Sequence, residues 1–193
     1  MKDDEVRWDS RYQLKTFPDK ASDLVKHYCH LAKVGRSIDI AAGNGRNAVF
    51  LSDKGFEVDA VDISKVALDL IRKKSPHIRC LQEDLDSFTP EPNRYDLITN
   101  INYLNRRLFP HLKRALRNNG ILIFKTFLDS HFEKGPQPNS NRDHYLQSNE
   151  LLHAFLSLQI VHYSEIEVIW SNGERREAAQ LIARKIDSSD RND

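Results

Sequence analysis

The stretch Ser37–Ser64, SIDIAAGNGRNAVFLSDKGFEVDAVDIS, decides the fold. It opens on a short apolar run, turns through Gly43 and Gly45, and continues with apolar residues at helical spacing. It closes on a second short run that ends in Asp62. A strand, a glycine turn, a helix and a second strand form a βαβ unit, and near-continuous β-branched runs mark strands buried on both faces. Gly43 and Gly45 have no Cβ, so the backbone can bend sharply and approach a ligand. The helix that follows presents free N–H groups, which favour an anionic group. Asp62 comes roughly twenty residues after the turn, where a nucleotide-binding βαβ unit places the carboxylate that holds ribose hydroxyls. The glycines read GxG followed by Arg46, so the dinucleotide fingerprint GxGxxG is only partly met. The competing reading is an ordinary tight turn with helix-capping acids.

The same alternation continues on both sides. SKVALDLIRKKS is helical in spacing, with Asp62 and Ser64 where an N-cap belongs. IRCLQED reads as a third strand, RYDLITNINY holds a fourth, and GILIFKTFL is a fifth. RRLFPHLKRALRNNG reads as a basic amphipathic helix that starts at Arg106 and ends on a C-cap at Gly120. A short helix over 149–156 precedes two further strand-like runs, LQIVHYSEIEVIW and REAAQLIARK. The Asn-Gly turn of Ser171–Glu174 makes these a hairpin. The predicted fold class is α/β: a doubly wound, mostly parallel, seven-stranded sheet with an antiparallel C-terminal hairpin. One domain is expected over 1–193, with a helical cap over 1–33, the α/β core over 34–186 and a polar tail over 187–193. Residues 132–143 read as a Pro/Asn/Gly loop.

Bulk properties exclude several classes. The chain is 39% apolar and 30% charged, with 29 basic against 28 acidic residues and a net charge of +1. That balance supplies no broad field for a polyanion, so nucleic acid is not an expected partner. The polar N-terminal run is unlike a signal peptide, and no stretch nears the ~20 apolar residues of a membrane span. Cys29 and Cys80 lack CxxC spacing, and the scattered histidines form no ligand cluster, so no metal is expected. A reducing, cytoplasmic location follows from this usage.

The quoted stretch resembles motif I and the following acidic strand of the class I S-adenosylmethionine (SAM)-dependent methyltransferases. The GNGRN form and the upstream RWDSRYQ are similar to the tellurite-resistance group, relatives of the thiopurine methyltransferases. YDLITNINYLNRRLFPHLKRALRNNGILIFKTF resembles motifs IV and V with the helix between them, and NGERREAAQLIARK the closing hairpin. The resemblance runs from about Val6 to Lys185 and implies SAM as cofactor. It implies that Asp39, Ala41, Gly43 and Gly45 line the methionine end, with Asn47 beside them. Asp62 would take the ribose and Ile63 the adenine face. Asp84 and Leu85 would meet the adenine edge, and Asn100 the sulfonium region. Trp8 and Tyr12 would fold over the cofactor. Ala41 and Ala42 stand where many relatives have glycine or cysteine, and Arg46 replaces a third glycine; small size is kept at the former pair.

The implied reaction is methyl transfer to a small-molecule acceptor such as a thiol, a chalcogen oxyanion or another small anion. An acceptor that arrives nucleophilic needs no general base, and the sequence names no catalytic residue. The acceptor pocket is expected beside Asn100–Arg107 and under the Phe127–Tyr145 loop. Arg11, Tyr103, Arg106, Arg142 and His144 are its candidates, the cations suiting an anionic substrate. NINY at Asn100–Tyr103 lacks the prolines that aim an amine in Asn-Pro-Pro-Tyr enzymes, so an amino target in nucleic acid or protein is disfavoured. The alternatives are a non-catalytic SAM-binding module of the same fold and a nucleotide-dependent oxidoreductase.

Overall fold

Val58–Asp62 of β2 (Glu57–Asp62) and Ser37–Ile40 of β1 (Arg36–Ile40) are all buried, as strands covered on both faces must be. They lie inside a seven-stranded sheet of order β3-β2-β1-β4-β5-β7-β6. The remaining strands are β3 (Arg79–Gln82), β4 (Tyr95–Ile101), β5 (Leu116–Phe127), β6 (Gln159–Ile169) and β7 (Arg175–Arg184). Strands β1 to β5 run parallel, while β7 inserts antiparallel between β5 and β6. The structure, a computed structural model, describes residues 2–14, 17–129, 142–169, 173 and 175–186. Most of the Ser171–Glu174 turn, the 132–143 loop as far as residue 141, and the 187–193 tail lie outside these.

Two apolar layers cover the sheet. On one face Ile38, Ile40, Val61, Ile98, Leu122 and Phe124 pack with Leu108, Phe109 and Leu112 of α5 (Leu108–Ala115) and Leu151 and Phe155 of α6 (Glu150–Phe155). On the other, Val58, Ala60, Leu97, Ile121 and Ile123 meet α2 (Asp23–Tyr28), α3 (Arg46–Asp53) and α4 (Lys65–Lys74), whose Val25, Leu51, Leu68 and Ile71 are buried. Fully burying one such aliphatic side chain contributes roughly 1.5–3 kcal/mol, so these layers dominate the stability of the sheet. Strand alternation puts Ser37 and Asp39 on the α3 side of β1, a polar seam within the second layer.

The N-terminal residues are less helical than their sequence implies. α1 (Lys2–Leu14) and α2 are separated by a non-helical strap at 17–22, and a 3-10 turn, Cys29–Leu31, leads into β1. α1 leaves Val6 and Leu14 exposed. It docks by polar contacts instead: Asp9 Oδ1 accepts from Ser64 Oγ (2.5 Å) and Val66 N (3.1 Å), and Gln82 Nε2 donates to Glu5 Oε1 (2.8 Å).

The helix expected over Arg106–Gly120 is shorter at both ends. α5 begins at Leu108 and ends at Ala115, and β5 begins at once. Gly120 is therefore no helix cap. Asn119 takes the left-handed conformation (φ 64°), while Gly120 lies where an added Cβ would stand 2.8 Å from the Arg117 carbonyl and 3.0 Å from the Tyr95 carbonyl. A register shift between Tyr95 and Leu97 accompanies this bend. The asparagine, placed one residue earlier, supplies the positive φ, and the glycine supplies the room.

Candidate functional site

The strand order reverses between β1 and β4, with β2 and β3 on one side and β5 on the other. In open α/β sheets the crevice beyond the carboxyl ends at this switch point is where ligands bind. Both strands are followed by left-handed residues as the backbone leaves the sheet, Ala41 (φ 54°) after β1 and Asn102 (φ 63°) after β4. They lean apart: Ala42 N donates to Val61 O of β2 (3.0 Å), and Asn102 N to Lys125 O of β5 (2.7 Å).

The glycine turn is built against Asp62. Gly43 N donates to Asp62 Oδ2 at 2.8 Å and Ser64 N to Oδ1 at 2.9 Å. Ser64, not Asp62, caps α4, its hydroxyl accepting from Ala67 N at 3.1 Å. A carboxylate has about four lone-pair positions, so Asp62 keeps acceptor capacity for hydroxyl donors. Burial raises the Asp62 carboxyl above the usual range, against the favourable amides of Ser64, Gly43 and Ile63. Gly43 (φ 57°) and Gly45 (φ 80°) both need their left-handed backbone. A Cβ on Gly43 would collide with the Tyr12 hydroxyl, and one on Gly45 with Ile71 Cγ1.

Asp39 lies beneath the turn. Its Oδ1 accepts from Thr99 Oγ1 at 2.6 Å, while its buried Oδ2 has no hydrogen-bond partner among the described residues. Burial pushes its carboxyl up to about 7, against the Thr99 hydrogen bond and the Arg46 charge. The Ala48 amide at the start of α3 also favours the ionised carboxylate.

Tyr12 brings α1 over this crevice. Its ring centroid lies 4.3 Å from that of Phe17 and 6.2 Å from that of Trp8, both pairs tilted, and Arg11 sits 4.8 Å over the Trp8 ring. Burial and the Asp62 charge push the Tyr12 hydroxyl pKa upward, so it stays a neutral donor. Tyr103, after β4, is raised to about 12 by burial, with the Asp86, Asp84 and Asp62 charges adding to it. Asp84 accepts from Asp86 N at 2.9 Å, and Leu85 is buried beside it. Asn100 Nδ2 donates to Tyr103 O at 2.7 Å, fixing the turn after β4. Ile63 is partly exposed at the mouth, and its carbonyl accepts from Gln82 Nε2 at 3.3 Å.

Several predicted site residues serve the scaffold. Asn47 Oδ1 accepts from Ser22 N at 2.9 Å, anchoring the 17–22 strap to α3. Arg106 makes four hydrogen bonds, two to the Glu150 carboxylate and one each to the Asp143 and Tyr145 carbonyls. Only one of its five N–H groups is left over, so it clamps α6 and the segment before it. Arg107 likewise donates to the Leu85 and Phe88 carbonyls. His144 is exposed, and the Arg142 side chain lies outside the described residues. Sequence reasoning missed the strap at 17–22, whose anchor to α3 is a contact between residues far apart in the chain.

Residues 38–120 match the family model described as a methyltransferase domain. YqeM of Bacillus subtilis (strain 168), a protein that carries a methyltransferase name, is 32% identical over 106 residues, 49% of this chain and 43% of that one. The chain thus spans less than half the length of this curated relative. A SAM-dependent methyltransferase from Methanosarcina mazei superposes with a TM-score of 0.69 at 16% identity, over 86% of this chain and 99% of that one. TehB from Haemophilus influenzae superposes with a TM-score of 0.71 at 19% identity, over 94% and 66%. The βαβ unit and the strands that follow it therefore carry the methyltransferase-domain sequence pattern, on a sheet with the Rossmann-like methyltransferase fold.

Proposed function

We propose that the chain is a SAM-dependent methyltransferase (EC 2.1.1.-) acting on a small-molecule acceptor, in a subgroup akin to the tellurite-resistance enzymes. The observation that carries this reading is the Gly43–Asp62 unit. A buried carboxylate at the end of β2 is locked to a bare turn after β1, and acceptor positions on it are left over. The residues fit the cofactor: Asp39 Oδ2 has no hydrogen-bond partner among the described residues, and two left-handed glycines turn the backbone tightly past Tyr12 and Ile71 beside Asp62.

Asp62 would hold the ribose hydroxyls, and Asp84, Leu85 and Ile63 the adenine. Asp39, Ala41, Gly43, Gly45 and Asn100 would surround the methionine end. SAM supplies, when bound, a methyl group already activated on a sulfonium. The chain's own contribution is placement and exclusion of water. Trp8 and Tyr12 close the mouth, and the Asn100–Tyr103 hydrogen bond fixes the wall beside the acceptor. Tyr103 keeps its proton at neutral pH and can orient an acceptor by donating it.

Calorimetry with SAM, S-adenosylhomocysteine and NAD tests the cofactor. Micromolar binding of the first two, without NAD binding, is expected, and NAD binding alone would refute the reading. Release of S-adenosylhomocysteine with thiols, selenite or tellurite would establish turnover. Tight SAM binding without turnover on any acceptor would favour a non-catalytic SAM-binding module.

A further inference from the structure

Thr99 puts a buried hydroxyl into an apolar layer. It lies on β4 between Leu97 and Ile101, both part of the layer that faces α3, and it is fully buried. Alternation puts its side chain on that same face. A valine would fill the volume without a polar atom, and burying a hydroxyl is unfavourable unless it is hydrogen-bonded. Two acceptors are in reach of the Thr99 hydroxyl, Asp39 Oδ1 at 2.6 Å and the Ile38 carbonyl at 3.4 Å. The hydroxyl has one proton to donate. The shorter contact, in the range of bonds to an ionised carboxylate, takes it.

This bond spans the switch point. Asp39 and Thr99 are register partners on β1 and β4, the two strands between which the order reverses. The next pair, Ile40 with Asn100, is the last of that ladder. Asp39 is therefore the last side chain on the α3 face of β1 before the backbone turns at Ala41. With Oδ1 tied sideways to β4, the carboxylate cannot rotate about its Cβ–Cγ bond, and Oδ2 is held on the side away from Thr99.

The other groups that act on this carboxylate come from three elements. Arg46 and the Ala48 amide of α3 favour its ionised form, and Asp62 of β2 opposes it. Tyr12 of α1, whose hydroxyl pKa is raised, stays neutral. Burial outweighs these and brings the carboxyl up to about 7, with the Thr99 hydrogen bond the largest opposing contribution. A carboxyl poised at neutral pH responds to the loss of a single bond.

We propose that Thr99 is a positioning residue for the donor's amino-acid end: its hydroxyl fixes the Asp39 carboxylate across the switch point, so that this carboxylate can pair with the donor's ammonium group. This rests on the methyl-transfer reading above and adds to its cofactor site a residue from β4.

The test compares two ligands by calorimetry across neutral pH: S-adenosylhomocysteine, which carries that ammonium group, and methylthioadenosine, which lacks the amino-acid end. Asp62 would meet the ribose of both, so its effect cancels in the ratio of the two affinities. In the wild type this ratio should rise in favour of S-adenosylhomocysteine as pH climbs through about 7. Thr99→Val should move the rise upward by about one pH unit and lower the ratio at neutral pH about fivefold. Thr99→Ser, which keeps the hydroxyl, should restore both. A purely structural role would weaken both ligands together and leave the ratio unmoved, and that result overturns the proposal. So does a ratio unmoved with both affinities intact. Should Thr99→Val not fold, Thr99→Ala against Thr99→Ser, a pair differing by one oxygen, gives the same comparison. Should the wild type bind neither ligand, the methyl-transfer reading fails. A carbon-13 NMR titration of the Asp39 carboxyl, assigned with Asp39→Asn, then decides the rest: an upward shift in Thr99→Val upholds the hold of Thr99 on Asp39, and an unmoved midpoint overturns it.

Discussion

The amide of Gly43 points at the carboxylate of Asp62, 2.8 Å away, so the turn after β1 and the end of β2 are one unit. The turn's shape and the carboxylate's aim depend on each other. Removing Asp62 leaves buried amides at Gly43 and Ser64 without acceptors, at about 1–3 kcal/mol. Asp62→Ala should lower S-adenosylhomocysteine affinity at least tenfold in calorimetry and reduce Tm by several degrees. Retained affinity would separate the acid from the ligand.

Gly43 faces Tyr12, and the space between them has room for a hydroxyl but not for a methyl as well. Gly43→Ala should displace α1, seen as faster amide exchange over residues 5–12. Adding Tyr12→Phe, which removes the colliding oxygen, should restore part of the protection. Equal exchange in all three proteins would show that the contact does not hold α1.

Ala41 bears the strain of a left-handed backbone (φ 54°) that glycine adopts freely. Ala41→Gly should gain up to about 1 kcal/mol from this relief, less the entropy glycine adds to the unfolded chain. Urea denaturation measures the net change, and a loss above ~1 kcal/mol would mean that the methyl group's packing outweighs the strain.

Asp39 links stability to pH. Its carboxyl is raised from 3.8 to about 7 on folding, so between these values the folded state binds more protons than the unfolded one. Its contribution to stability therefore falls as pH rises through this window. The difference in stability between Asp39→Asn and wild type should grow in the variant's favour from pH 4 to pH 7 and level off above. A flat difference would mean that Asp39 titrates normally.

Arg106 tests scaffold against site. Burial would raise the Glu150 carboxyl, but the Arg106 hydrogen bonds and the Gln147 amide outweigh it, and the net shift is downward. Arg106→Ala should cost about 1–2 kcal/mol at neutral pH by stranding hydrogen-bonded carbonyls and a carboxylate. The loss should shrink as pH falls below Glu150's usual 4.5, while S-adenosylhomocysteine affinity is unchanged. Weakened cofactor affinity with normal stability would return Arg106 to the site.

The sequence alone determined the order of elements, the glycine turn, the acid ending β2 and the closing antiparallel pair. These signals are local: period, β-branching and glycine spacing constrain neighbours along the chain. It misjudged the end of α5, because helical spacing through Leu112 cannot reveal that Leu116 gains more by pairing with Tyr95 than by another helical turn. Only the tertiary structure decided which cations are free. Arg106 and Lys125 look alike as charges in a sequence. Their roles part because Arg106 meets Glu150, 44 residues away, whereas strand register leaves Lys125 half-buried beside Ile101 near the end of β5. Charge is written in the chain, but the partner that neutralises it is chosen by folding.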